Sequence, residues 1–81
     1  MNNFQKVTIT PVVRDGVTKY DLTVVGDSPE LWTKPGRYGT LELAIDSFEP
    51  PLKQEIADAI RRIVGEGKPY SFTLENALDL N

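Results

Sequence analysis

Residues 49–65 read EPPLKQEIADAIRRIVG, and this stretch decides the fold. Leu52, Ile56, Ala59, Ile60 and Ile63 recur at helical spacing and fall within one arc about 100° wide. Pro51 suits a first helical position, where a missing N–H costs nothing, and the residue before it is held extended. Gly65 reads as the left-handed residue that ends the helix, with Gly67 and Pro69 preventing its resumption. The spacing predicts a helix over 51–64. A helix with one apolar stripe needs a surface to lie on, and the flanking sequence supplies it.

Downstream, Tyr70, Phe72 and Leu74 alternate with Ser71, Thr73 and Glu75, which predicts a short strand over 70–75. The tail, 76–81, is either a last helical turn packing Leu78 and Leu80 or a frayed end. Upstream, Leu41, Leu43 and Ile45 alternate with Glu42, Ala44 and Asp46, which predicts a strand over 40–46. Phe48 is placed to pin the start of the helix. Before it comes a long connection, 26–39, reading GDSPELWTKPGRYG. Asp27 or Ser28 can cap a helical turn there, and Lys34-Pro35-Gly36 makes a tight turn.

Residues 5–25 carry the strongest local signal. Val7, Ile9, Pro11 and Val13 alternate with Lys6, Thr8, Thr10 and Val12. After Asp15-Gly16, Tyr20, Leu22 and Val24 alternate with Lys19, Asp21 and Thr23. Asp-Gly between two alternating runs marks a β-hairpin. Pro11 cannot donate to a ladder, so it belongs at a sheet edge or a bulge.

The expected architecture is one α+β domain over 1–81. It is a two-layer sandwich in which a four-stranded, mostly antiparallel sheet carries one amphipathic helix on one face, in the order β-β-β-α-β. The last two strands fit either a right-handed parallel crossover or an antiparallel return.

Composition bounds the function. The chain has no cysteine and no histidine, which removes disulfides, thiolate chemistry, Cys/His zinc sites and imidazole acid–base catalysis. No calcium-loop spacing and no phosphate-loop pattern occurs, so no cofactor or metal is expected. Residues 65–68, Gly-Glu-Gly-Lys, follow a helix rather than leading into one and read as its cap. No signal-like segment and no membrane-length apolar run is seen, which points to a cytoplasmic protein. Net charge is −3, split between +1 over residues 1–40 and −4 over residues 41–81. That balance argues against direct nucleic-acid binding.

Trp32 is the first candidate for a contact residue, because it sits in the longest connection with Glu30, Lys34, Arg37 and Tyr38 nearby. Trp, Tyr and Arg are enriched at interface hot spots, where each combines large contact area with a polar handle. Lys19 with Lys34, Arg37 and Tyr38 also suggests a small phosphate platform, against which the overall acidity weighs. Glu55, Asp58 and Glu66 form a secondary acidic surface suited to a basic protein. The carboxylates are placed on solvated faces, where a catalytic pair with separated pKa values does not arise. The expectation is a small non-enzymatic protein-binding module, an inhibitor, adaptor or assembly factor, acting through the Trp-bearing loop or an exposed sheet edge. Two alternatives are a structural subunit of a homo-oligomer, and an acidic surface that imitates nucleic acid to block a nucleic-acid-binding protein.

Overall fold

Asp15 and Gly16 take φ of 52° and 78°, the pair of left-handed residues that a two-residue type I′ turn requires. The turn sets the register of the strands it joins. β1 (Gln5–Arg14) and β2 (Val17–Gly26) pair antiparallel along their whole length, from Arg14↔Val17 to Gln5↔Gly26. The computed structural model describes residues 5–26, 34–49 and 51–79. Two further strands complete an antiparallel sheet of order β3-β2-β1-β4. β3 (Gly36–Tyr38) pairs with β2 at Tyr20–Leu22, and β4 (Tyr70–Thr73) pairs with β1 at Lys6–Ile9. The chain is α+β, and its expected sequence of three strands, helical segment and strand is present. β3 and β4 lie at opposite edges, so no parallel crossover joins them.

Pro11 finds its place in this arrangement. Counting back from the turn, residues 7, 9, 11 and 13 of β1 aim their backbone groups away from β2. β4 takes up those of Val7 and Ile9 and ends there. β1 is therefore central over Lys6–Ile9 and an edge beyond it, and the proline falls on the edge portion.

The third strand is not where alternation put it. Residues 40–46 form a helix, α1 (Leu41–Asp46), and β3 comes instead from the segment expected to be loop. The reason lies in a second pattern within the same residues. Leu41, Ala44, Ile45 and Phe48 follow helical spacing, and Leu, Glu and Ala all favour a helix over a strand. Thr40 starts it: its hydroxyl accepts from the Leu43 backbone N–H at 3.2 Å. Ala44, Ile45 and Phe48 are buried while Leu43 is 56% exposed. Alternation would have buried Leu43.

The main helix, α2 (Gln54–Gly65), begins three residues later than Pro51 suggests. Residues 51–53 pair with the C-terminal segment instead. Lys53 N–H donates to the Ala77 carbonyl at 2.7 Å, and Asp79 N–H donates to the Pro51 carbonyl at 2.8 Å. Leu52 bridges Leu78 between them and stays buried, outside the helix. The closing glycine also moves: Gly65 is helical, and Gly67 takes the left-handed conformation with φ 92°. Gly67 N–H donates to the Val64 carbonyl and Lys68 N–H to the Ile63 carbonyl, the paired bonds of a Schellman cap.

The buried line of α2 is Ala57, Ile60 and Val64, with Ile56, Ala59 and Ile63 only half-buried. At about 100° per residue this is roughly a quarter-turn from the predicted stripe. α1 is the cause. It packs against α2, and Arg61, which follows Ala57 by one turn, reaches back to Glu42 across that contact. β4 is followed at once by α3 (Leu74–Ala77), so Leu74 is buried as the first residue of a helical turn rather than the last of a strand. The core joins Val7, Ile9, Leu22 and Phe72 of the sheet to Ile45, Phe48, Ile60 and Leu78 of the other layer. The Phe48 and Phe72 rings meet with centroids 5.8 Å apart.

Candidate functional site

All the buried sheet residues lie on one face, the one covered by the helices. Among the described residues no helix lies over the other face. There β1 presents Lys6, Thr8, Thr10, Val12 and Arg14, and β2 presents Val17, Lys19, Asp21, Thr23 and Val25. Arg37 of β3 and Ser71 of β4 extend the same face. Three cross-strand pairs set a cation against a valine: Lys6↔Val25, Val12↔Lys19 and Arg14↔Val17. Val17 is 55% exposed and Val25 71% exposed.

At the hairpin end this face holds a shallow depression of about 310 Å³, lined by Val12, Arg14, Asp15, Val17, Lys19 and Arg37. Arg37 is held by Asp21 through two bonds, Nε to Oδ1 at 2.7 Å and Nη2 to Oδ2 at 3.2 Å. The Arg37 bond, with a smaller contribution from the more distant charge of Arg14, keeps the Asp21 carboxyl below the usual carboxylate range. Arg14 and Lys19 make no salt bridge among the described residues. Hydroxyls fill the middle of the face, where Thr8 and Ser71 lie 2.8 Å apart.

The residues singled out from sequence divide among several places. Trp32 and Glu30 lie outside the described residues. Arg37 is on the open face, whereas its neighbour Tyr38 turns to the other side, is half-buried and packs against the core. The Tyr38 hydroxyl donates to the Lys34 carbonyl, so Lys34 engages it through its backbone. Lys19 and Arg37 do share a surface, and Tyr38 does not join them. Glu55, Asp58 and Glu66 are exposed on α2 and its cap. Asp58 accepts from Arg61 Nη1 at 3.0 Å and from Gln54 Nε2 at 3.1 Å. Arg61 turns that way because its Nε and Nη2 clasp Glu42 at 2.9 and 3.0 Å, tying α1 to α2. The Arg61 bond lowers the Glu42 carboxyl pKa.

Val12, Arg14, Val17 and Val25 had not been singled out. The signal that finds them is the Asp15-Gly16 turn, which fixes the cross-strand pairs and, with the apolar alternation, assigns these four to the face away from Leu22. Among the described residues no helix is long and apolar enough to cross a membrane, and no three acidic side chains converge as a metal site would need. Comparison with known protein families, with curated proteins and with solved structures finds no match.

Proposed function

We propose that this chain is a small non-enzymatic module that works by binding another protein through the open face of its sheet. The observation that carries this reading is the set of valines on that face. Isolated surface valines are ordinary, but Val12 and Val17 share one depression, and Val25 continues the face at the other end of the hairpin. Apolar side chains set among charged ones give a surface that both buries area and fixes orientation in a protein contact. The face serves better than the neighbouring edge, because Pro11 withholds a donor there. Among the described residues, the two carboxyls with perturbed pKa values, Asp21 and Glu42, are both shifted downward, away from the range of a general acid. That too favours binding over catalysis. The lack of cysteine supports a reducing, cytoplasmic setting.

The test compares immobilised wild-type protein with Val17→Asp and with Asp58→Lys on the helical side. Circular dichroism establishes that each variant is folded. The expected result is a protein retained by wild type and by Asp58→Lys and lost by Val17→Asp. Retention by all three alike would remove the open face from the reading. No retained protein at all would remove the binding function.

A further inference from the structure

We infer that the partner presents an acidic segment in which an apolar residue and a carboxylate stand two positions apart, and that this segment lies on the hairpin end of the open face. The inference rests on the protein-binding reading and names the partner's chemistry. Along β1 the face runs Val12 then Arg14, and along β2 it runs Val17 then Lys19. Each valine stands two positions before the next cation, about 6.6 Å in a strand. Across the strands the order is reversed, Val12 against Lys19 and Arg14 against Val17, so valines and cations alternate like the squares of a board. An extended polypeptide has the same repeat, with every second side chain on one side. It can set an apolar group on a valine and a carboxylate beside the neighbouring cation.

Charge distinguishes this occupant from others. Among the described residues, Lys6, Arg14, Lys19 and Arg37 share the open face with one acidic side chain, Asp21, and Asp15 stands at the turn. Arg37 already holds Asp21, which leaves Lys6, Arg14 and Lys19 as the cations of this face without a salt bridge among the described residues, the last two at the hairpin end. The face is thus positive on a chain of net charge −3. A second copy laid face to face would bring like charges together. Single-stranded nucleic acid gains its hold by stacking on aromatic rings, whereas Tyr20, Tyr38, Tyr70 and Phe72 all belong to the covered side. The hydroxyls of Thr8, Thr10 and Ser71 add hydrogen-bonding groups for a peptide backbone on the same face.

The experiment titrates the full chain with three labelled synthetic peptides. One repeats valine–serine–glutamate–serine, one replaces glutamate by lysine, and one replaces valine by serine. Binding is followed by fluorescence anisotropy and mapped by amide chemical shifts. The first peptide is expected to bind best and more weakly as salt is added, with shifts centred on Val12–Lys19. The double variant Arg14→Glu/Lys19→Glu is expected to bind it about tenfold less tightly, while Lys53→Glu is unchanged. Both variants alter exposed side chains, and their amide spectra report whether they are folded. Equal binding of the three peptides, no binding of the first, or full binding by the double variant would overturn the inference. Stronger binding to vesicles of phosphatidylcholine and phosphatidylserine than to the peptide would overturn it in favour of a lipid surface. If the peptides fail while a protein is still lost by Val17→Asp, the binding function stands and only the acidic partner falls.

Discussion

Gly67 caps α2 with φ 92°, and an added Cβ there would meet nothing within 4 Å. The cost of a side chain is therefore conformational and not steric. Gly67→Ala is expected to lower stability by about 1 kcal/mol, read from the midpoint of urea unfolding. Arg61 acts at the same scale through charge. Its two bonds to Glu42 lower that carboxyl's pKa, so the unfolded chain takes up the proton more readily than the folded one. The stabilisation from the pair is then complete above the ordinary carboxylate range and is lost as pH falls through the lowered pKa of Glu42. Arg61→Met should flatten the acid limb of a plot of urea midpoint against pH. Because both side chains are exposed, high salt should reduce the difference between the two proteins. A variant with the wild-type acid limb would refute this account.

α1 illustrates how an element can satisfy two periods at once. Leu41, Leu43 and Ile45 alternate as in a strand, and Leu41, Ala44, Ile45 and Phe48 repeat as in a helix. The two readings disagree most about Leu43. In the helix it is 56% exposed, whereas Ile45 is 6% exposed. Ile45→Ala should cost about 2–4 kcal/mol through lost burial and the cavity left behind, and Leu43→Ala should cost under about 0.5 kcal/mol. Equilibrium unfolding of both variants checks it, and equal costs would contradict the helix. Thr40 tips the balance, since its hydroxyl takes a backbone donor that a strand would send to a neighbour.

At the scale of the molecule, the hairpin is longer than the strands that flank it. β4 leaves β1 after Ile9, and β3 touches β2 only over Tyr20–Leu22. Among the described residues Thr10–Arg14 is consequently an open edge, the kind of template on which chains join. Pro11 interrupts it by lacking an N–H directed outward. Pro11→Val would restore that donor and raise local strand propensity, so it is expected to promote concentration-dependent self-association, measured by sedimentation velocity. A monomeric variant at the highest attainable concentration would count against this role for the proline. The same overhang leaves Val12, Val17, Arg14 and Lys19 on the uncovered side, where the proposed partner segment is received.

Local chemistry determined much of this protein. The Asp15-Gly16 turn and the alternation on either side of it specify the hairpin, its register and its buried face, because a two-residue turn and a period of two leave no second solution. The apolar spacing after Pro51 specifies a helix packed on that sheet, and the glycines after Val64 specify its end to within two residues. Contacts distant in the chain decided the rest. Pro51–Lys53 is extended because Ala77–Asp79 lies beside it with donors and acceptors in place. The buried stripe of α2 is Ala57, Ile60 and Val64 because α1 covers one flank, an arrangement that no window on α2 contains. Residues 40–46 chose the helical period because that period buries Ala44, Ile45 and Phe48 together, and short Gly36–Tyr38 took the edge of the sheet. The hairpin register put valines and cations on one face; only the packing of the helices on the opposite face left them uncovered among the described residues.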